Sequence, residues 1–376
     1  MKLTCSRQDL SDTTSKVQCA VTASTIPALE GILFSAQGEN LKMSGYNLEL
    51  GITTSIPARV EQPGQIVLEA KLFCDIIRRL SGDIVSIEVD EKQTCTLRCG
   101  VSEFHFSAIP ADDFPDLPTV EGGTSLHLGS GLLKNMVRQT RFAVAKVDTG
   151  RPVLMGVLFE CREGVLRLVA VDGYRLAVRS EPVGEAPDIS FIVPEKTLGE
   201  IVKLLEDDES EVSISVGKRH IIFEIGDYLV VSRLLDGEFL DYNSSIPKQF
   251  STDVKASTRA LCECIDRISL LITDRLKSPV RCIFEDNMLK ASCNTTLGSA
   301  YDEMPVEMTG GRMEIGFNNR FLIEALKAAV PGRVSVDGDI NEDFSHDEMP
   351  IYGIRMPEVS IDVLTTEEVS GILKIC

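Results

Sequence analysis

The chain has 376 residues, of which 43% are hydrophobic and 25% are charged. This mixture is typical of folded globular proteins and excludes a disordered or collagen-like chain, and the length predicts two to three domains. No apolar run approaches the ~18 residues of a membrane span, and residues 1–20 do not resemble a secretory signal, so we expect a cytoplasmic protein without membrane contact. The formal net charge of −19 argues against attraction of the whole surface to nucleic acid, but a local basic face stays compatible with it.

The eleven cysteines are scattered along the chain. An odd number without paired spacing indicates neither a disulfide framework nor a zinc knuckle. Cys262 and Cys264 are the closest pair, but two positions separated by one residue on a predicted helix point in different directions. We therefore expect reduced thiols, no metal and no cofactor.

The predicted elements repeat at intervals of about 125 residues. The runs GILF, GVLF and RCIF end at Phe34, Phe159 and Phe284, which are 125 residues apart. Several landmarks at the same offset indicate repeated domains rather than chance. Each unit begins with a predicted helix, over residues 6–17, 129–146 and 257–272.

Each unit also contains a second predicted helix, with apolar residues at helical spacing, and a β-branched segment typical of a strand follows it. These helices cover residues 70–80, 195–205 and 319–329. The pattern predicts an α+β fold, in which each of three similar domains packs two helices on antiparallel sheet. Polar stretches rich in Gly, Pro or Ser place the boundaries near 115–123 and 244–253.

Basic side chains recur in register on these helices. Each second helix carries two of them seven residues apart, which puts both on one face. The first helix of the second unit adds three more on one stripe. The set is Lys71, Arg78, Lys134, Arg138, Arg141, Lys196, Lys203, Arg320 and Lys327. Such residues either form the solvated face of amphipathic helices or, as the register favours, contact the phosphates of a polyanion.

No catalytic motif is present in the sequence. The four histidines form no HExxH pair, and the chain has no GxSxG, GxxxxGKS/T or GxGxxG motif. Asp112 and Asp113 form an acidic pair within ADDFPD, a context more typical of a solvated turn than of an acid–base centre. We therefore expect a binding or scaffolding protein and not an enzyme.

The segment VAVDGYRLAVRS at 169–180 carries a family resemblance. With GVLFE before it, DGEFLDY at 236–242 and EIGFNNRFLIEAL at 314–326, it resembles the bacterial sliding clamp, the beta subunit of DNA polymerase III. The resemblance extends over about residues 1–356. It implies DNA-clamp-type domains at 1–122, 123–249 and 250–356, followed by an atypical C-terminal extension at 357–376.

The resemblance implies a ring. Clamps of this family are head-to-tail homodimers in which helices line the hole and strands form the outer sheet. Double-stranded DNA would thread the hole without sequence preference, and the family pattern adds Arg151 to the candidate DNA-facing residues and supports Lys71. A basic lining inside an acidic exterior would account for the net charge of −19.

The resemblance also implies a pocket between the second and third domains for short peptide motifs of the replicative DNA polymerase, the clamp loader and repair proteins. Apolar walls would hold hydrophobic peptide residues, and Arg175 or a backbone group would orient the peptide. Taken singly, the apolar candidates are equally compatible with core packing, and Gly173 with a turn. The candidates are Leu154, Val171, Gly173, Tyr174, Arg175, Leu176, Leu240, Ile354, Arg355 and Met356.

The chain departs from the family pattern in places that bear on function. Ser24 and Thr25 stand where the family often has an arginine facing DNA, and Gly353 replaces a proline. The extension after residue 356 could fold over the pocket, pair at a sheet edge or stay disordered. The alternative function is therefore a clamp-derived scaffold that binds peptides but holds DNA weakly.

Overall fold

The computed structural model describes residues 1–147, 150–246, 252–273, 278–329, 333–338, 352–356 and 359–365. The chain divides into two compact units, one built from 1–133 with 199–234 and the other from 134–198 with the described parts of 235–376. In both units helices pack against antiparallel sheet, in agreement with the predicted α+β class.

Six α-helices occur in the described part of the chain. They are α1 (Arg7–Val17), α2 (Ala70–Arg79), α3 (Ser130–Thr140), α4 (Glu195–Leu204), α5 (Thr258–Ser269) and α6 (Asn319–Ala328). The second helices α2, α4 and α6 confirm the predicted ranges to within one residue. Among these six, none is long and apolar enough to cross a membrane.

Helix α3 ends six residues before the predicted end. Thr140 has a φ of −120°, outside the helical region, and its hydroxyl donates to the Met136 carbonyl at 2.9 Å. A 3₁₀ turn over Arg141–Ala143 follows. The helical spacing of apolar residues continues in the sequence past Thr140, but the helical backbone conformation ends there.

The strands follow the same repeat. In the first repeat they are β1 (Lys2–Ser6), β2 (Gly31–Gln37), β3 (Asn40–Tyr46), β4 (Leu50–Gln62), β5 (Gly64–Glu69), β6 (Ile84–Val89), β7 (Thr94–Cys99) and β8 (Ser102–Ser107). In the second they are β9 (Thr124–Gly129), β10 (Gly156–Arg162), β11 (Val165–Val171), β12 (Arg175–Pro182), β13 (Ile189–Pro194), β14 (Glu211–Val216), β15 (His220–Ile225) and β16 (Tyr228–Arg233). In the third they are β17 (Thr252–Ser257), β18 (Val280–Glu285), β19 (Met288–Thr295), β20 (Gly298–Pro305), β21 (Glu307–Thr309), β22 (Met313–Phe317), β23 (Arg333–Gly338), β24 (Tyr352–Met356) and β25 (Val359–Thr365).

The first unit contains a twelve-stranded sheet. Its main path runs β8-β7-β6-β1-β4-β16-β15-β14-β9, and a branch leaves β4 through β3 and β2 to β5. The second unit contains a nine-stranded sheet, in the order β13-β10-β11-β12-β25-β24-β23-β17-β21, and a four-stranded sheet, in the order β20-β19-β18-β22. Strands β8 and β20 each end a sheet, so each has one unpaired side among the described strands.

The repeated phenylalanines are core residues. Phe34, Phe159 and Phe284 are buried, and the ring of Phe34 contacts that of Phe73 on α2 edge to face, with ring centroids 4.8 Å apart. Phe159 stacks on Phe191 with centroids 5.2 Å apart. The residue that marks the repeat in the sequence therefore anchors the packing of each copy.

The helix starts are capped in similar ways. The Ser6 and Ser257 side chains accept hydrogen bonds from backbone N–H groups in the first turns of α1 and α5. Glu69 and Asn318 do the same for α2 and α6. Each cap satisfies an N–H that has no partner inside the helix, which explains why the helices begin at these positions.

The C-terminal extension contributes a strand to the sheet. Strand β25 lies between β12 and β24 and is antiparallel to both, with Thr365 opposite Arg175 and Ile361 opposite Arg179. Of the three possibilities for the extension, residues 359–365 therefore adopt strand pairing, although inside the sheet and not at its edge. Residues 366–376 lie outside the described residues.

The ten cysteines that the structure describes are free. Burial raises the pKa of several of these thiols, to about 12 for Cys5 and Cys95. Cys264 is buried on α5 and Cys262 is half-buried. Within the described residues, no group of His, Cys, Asp and Glu side chains is arranged to hold a metal ion.

Candidate functional sites

The repeated basic pairs lie on the exposed faces of α2, α4 and α6. Lys71 and Arg78 are exposed, whereas Phe73 and Ile77 on the other side of α2 are buried. Packing the apolar side of each helix on its sheet therefore directs the basic side chains to solvent. The equivalent exposed pairs are Lys196 with Lys203 on α4 and Arg320 with Lys327 on α6.

Carboxylates accompany the second cation of α2 and of α4. Arg78 lies 3.7 Å from Asp75, and the Lys203 ammonium lies 2.7 Å from the Glu200 carboxylate. Each acid precedes its base by three residues on the same helix face. These acidic partners were not predicted from the sequence, although the spacing of three residues indicates them.

The cations of α6 have carboxylate partners as well. Arg320 lies 3.2 Å from Glu324, one turn further along the helix. Lys327 lies 3.9 Å from Asp266 on the neighbouring helix α5. The basic face of α6 is therefore partly neutralised by acids from two helices.

Lys134 does not belong to an exposed stripe. The prediction was wrong at this position, because the residue is only 8% exposed. Lys134 lies one turn before the buried Val137 and next to the buried Leu133, so its place on α3 faces the core. A polar residue at the border of the apolar face was misassigned by spacing alone.

The other candidates near α3 differ in exposure. Arg138 is exposed on α3, as predicted. Arg141 is half-buried in the 3₁₀ turn after α3, off the helix face, and its guanidinium lies 3.2 Å from Glu195. Arg151 is half-buried directly before a 3₁₀ turn that begins at Pro152. The predicted stripe of three bases on one helix is therefore reduced to Arg138.

The apolar candidates for the peptide pocket share one cluster. Leu154, Val171 and Leu176 are buried together, and Leu240 is half-buried against them. The partly buried hydrophobic residues packed against this cluster include Phe239. These candidates, predicted from the sequence, therefore meet in space, but three of them are buried in a hydrophobic core cluster.

The turn between β11 and β12 is shaped by the motif DGYR. Gly173 has a φ of +88°, which favours glycine, and the Asp172 carboxylate accepts from the backbone N–H groups of Tyr174 and Arg175 at 3.0 and 3.1 Å. This geometry leaves the Tyr174 side chain in solvent, with 52% of the residue exposed. Its ring centroid is 6.0 Å from that of Phe321 on α6.

The Arg175 side chain points inward. It is 1% exposed, and its guanidinium lies 2.9 Å from Asp172 and 2.7 Å from Glu324 on α6. The guanidinium also contacts the rings of Phe142 and Phe321, and it donates to the Phe142 carbonyl. The expected role of this side chain in orienting a peptide requires correction, because Nε donates to Asp172, Nη2 donates to Phe142, and Nη1 lies beside Glu324 inside the protein.

The two carboxylates around Arg175 differ in their titration. Burial raises the pKa of Asp172, and the nearby charge of Arg175 only partly opposes this effect. Burial also opposes ionisation of Glu324, but its hydrogen bond to Arg175 and the charges of Arg175 and Lys146 outweigh burial and hold its pKa below the usual value. The pKa values of the two carboxylates beside the buried cation therefore shift in opposite directions.

The C-terminal candidates are not adjacent to β12. Ile354, Arg355 and Met356 belong to β24, and β25 lies between β24 and β12. Two strand spacings, about 10 Å, separate their backbone from that of Leu176. The strand that the extension supplies therefore stands between β12 and the segment that we expected to form the C-terminal wall. No local pattern in the sequence indicated this long-range pairing.

Comparison with known proteins identifies the family. Sequence models of the DNA polymerase III beta subunit match the chain in three parts: the N-terminal domain at 1–118, the central domain at 127–241 and the C-terminal domain at 243–337. The chain belongs to the DNA polymerase III beta subunit family. The beta sliding clamp of Bacillus subtilis is 31% identical over 350 residues, which cover 89% of this chain and 92% of that protein.

Solved structures of the beta subunit family share the fold. The sliding clamp of Bacillus subtilis superposes with a TM-score of 0.91 at 29% identity and covers 97% of this chain and 98% of its own. A sliding clamp from Pseudomonas aeruginosa, solved bound to griselimycin, has a TM-score of 0.88 at 28% identity. The match covers 98% of this chain and 99% of that one. The three-domain clamp fold predicted from the sequence is thus confirmed.

The buried cluster around Arg175 yields a prediction for this family member. Arg175→Ala should lower the free energy of unfolding by about 3–5 kcal/mol, because the substitution leaves Asp172 and Glu324 without their buried counter-charge. Arg175→Lys should be intermediate, since a lysine keeps the charge but not the planar fork. Urea unfolding followed by circular dichroism measures the change.

The matched control is Arg162→Ala, which removes an exposed arginine that pairs with Glu160 at 3.0 Å on β10. Because the guanidinium of this ion pair is exposed to solvent, the pair contributes little, and this variant should unfold at nearly the same urea concentration as the unmodified protein. Equal stability of Arg175→Ala and Arg162→Ala would contradict the structural role of Arg175.

Proposed function

We propose that this protein is a DNA sliding clamp that encircles duplex DNA and tethers the replicative DNA polymerase, which makes synthesis processive. The observation that carries the proposal is the recurrence of an exposed basic pair at the same place on α2, α4 and α6, in a chain whose net charge is −19. We propose domain boundaries at 1–122, 123–249 and 250–356 and a location in the cytoplasm.

The proposed mechanism needs no catalysis, and proteins of this family are non-catalytic subunits. A ring around the duplex holds a polymerase by topology, so the local concentration of polymerase at the template stays high. Lysine and arginine side chains contact phosphates without reading bases, and such contacts can be exchanged along the helix. The proposed lining consists of Lys71, Arg78, Arg138, Lys196, Lys203, Arg320 and Lys327, with Arg141 and Arg151 at its margin.

Ring closure between two copies has a structural basis in the exposed sheet edges. At one edge, beside β8, Val101 is fully exposed and Phe104 partly so. At the other, Tyr301 on β20 and Leu297 beside it are exposed, and Leu270 at the end of α5 is 82% exposed. Unpaired strand edges flanked by apolar side chains favour pairing with another chain. We propose a head-to-tail homodimer in which β8 of each copy meets β20 of its partner.

The proposed partner pocket is the cluster of Leu154, Val171, Leu176 and Leu240. We propose that Tyr174, which is exposed on the turn between β11 and β12, borders it. Short peptide motifs of the polymerase, the clamp loader and repair proteins would place apolar side chains against Leu240 and Tyr174. Arg175 acts here as a positioning residue that holds the rim. The alternative of a peptide-binding scaffold with weak DNA retention has no support in the relatives described above, which are sliding clamps.

Charge reversal on α4 tests DNA encirclement. We expect Lys196→Glu combined with Lys203→Glu to reduce the amount of protein loaded and retained on nicked circular DNA at least tenfold, because phosphates would meet two acids. Gel filtration of the loaded DNA measures retention, and cutting the circle should release the unmodified protein. The control is Lys218→Glu with Arg219→Glu, an equal charge change at exposed positions before β15.

Unchanged retention of the α4 variant would contradict the lining. Failure of the unmodified protein to stay on circular DNA would instead favour the scaffold alternative.

Solution mass tests ring closure. Light scattering at micromolar concentration should give a mass near twice 41.2 kDa. Leu270→Asp should give a monomer, because it places a charge at the apolar edge, whereas Leu48→Asp, at an exposed leucine outside both edges, should leave the dimer intact. A dimeric Leu270→Asp variant would contradict the assigned edge, and a monomeric unmodified protein would contradict the ring.

Peptide binding tests the pocket. We expect Leu240→Ser to weaken binding of a labelled peptide from the polymerase partner at least tenfold, since it removes apolar contact area at the rim. Fluorescence anisotropy measures the affinity. The control is Leu229→Ser, a half-buried leucine on β16 in the other unit. Equal affinities of the Leu240 variant and the unmodified protein would contradict the assignment.

A further inference from the structure

An acidic residue is repeated with the basic pairs. Asp75, Glu200 and Glu324 follow the repeat at intervals of 125 and 124 residues. Each acid comes four residues after the first base of its helix and three residues before the second. Since both spacings place side chains on one helix face, every repeated basic pair has a carboxylate between its two members.

Each acid is less exposed than the bases it is paired with. Asp75, Glu200 and Glu324 are half-buried, whereas the cations beside them are exposed. The Glu200 carboxylate lies 2.7 Å from the Lys203 ammonium, and Asp75 lies 3.7 Å from Arg78. The bases are therefore more accessible than the acid beside them, and a phosphate that approaches from solvent would meet the bases first.

The third of these acids, Glu324, also contacts a buried cation. Glu324 pairs with Arg320 at 3.2 Å and also with the buried Arg175 at 2.7 Å. Lys327 has a separate carboxylate nearby, at 3.9 Å on Asp266. The local counter-charge is thus preserved on α6, although the same carboxylate serves the buried cluster.

We propose that the repeated acid is a built-in competitor of DNA phosphate, which weakens each cation–phosphate contact and so keeps the ring mobile on DNA. This inference rests on the proposed clamp function. A phosphate that approaches Lys203 must share or displace the carboxylate that already holds the ammonium. The helix faces then attract duplex DNA, but each individual contact is released readily.

An ordinary role in helix stability predicts a different behaviour. Pairs of opposite charge three or four residues apart stabilise isolated helices slightly, whatever the helix faces. Removing the acids for that reason would lower stability and leave DNA affinity unchanged. Removing a competitor would instead raise DNA affinity and make it more dependent on salt, since more counterions are released on binding.

The test is Asp75→Asn combined with Glu200→Gln in the full chain. Glu324 is left unchanged because its carboxylate balances the charge of the buried Arg175. Fluorescence anisotropy with a short labelled duplex, at several KCl concentrations, should show binding three- to tenfold tighter at low salt. The slope of log affinity against log salt should become steeper by about one to two. Single-molecule tracking on long DNA should show slower diffusion of the variant.

A matched control separates local competition from net charge. Glu224→Gln combined with Asp227→Asn makes the same charge change at exposed positions on and after β15. This control should alter the affinity less than twofold. Equal effects of the two double variants, or no effect of the helix variant, would overturn the inference.

The Lys196→Glu, Lys203→Glu variant belongs in the same assay. If that variant loses duplex binding while the acid-removed variant behaves like the unmodified protein, only the competitor role fails. If it binds duplex like the unmodified protein, the proposed lining fails and the inference with it.

Discussion

The buried guanidinium of Arg175 is the constraint on which the geometry around the candidate pocket depends. Asp172 and Glu324 neutralise its charge, and Phe142 and Phe321 exclude water from its faces. A cation without solvent is tolerated only when opposite charges lie beside it. Any displacement of α6 from β12 would separate opposite charges away from water, so this contact fixes the position of the helix and of the turn that carries the exposed Tyr174.

Net charge and local charge act over different distances in this molecule. At physiological salt the Debye length is about 8 Å, so acids on remote strands have little effect on DNA that touches α2 or α4. Those acids still repel nucleic acid from the rest of the surface and favour solubility. A protein with a net charge of −19 can therefore bind a polyanion, provided that the contact is confined to the helix faces.

Local patterns were predictable from the sequence, and long-range contacts were not. The apolar spacing of α2 correctly predicted both its range and the exposure of Lys71, because a helix on a sheet has one buried side. Lys134 was assigned wrongly, since spacing between basic residues alone does not show that its position on α3 lies among buried residues. The inward orientation of Arg175 depends on Phe142 and Glu324, far apart in the sequence, and no periodicity encodes such a meeting.

The place of β25 has a consequence for synthesis of the chain on the ribosome. Strand β12 is translated more than 170 residues before its neighbour β25. At about 5–20 residues per second, roughly 10–35 s pass during which this side of β12 exposes unpaired backbone N–H and C=O groups. The nascent chain therefore carries an open strand in the middle of its future sheet, and protection of that strand during translation becomes part of the folding problem.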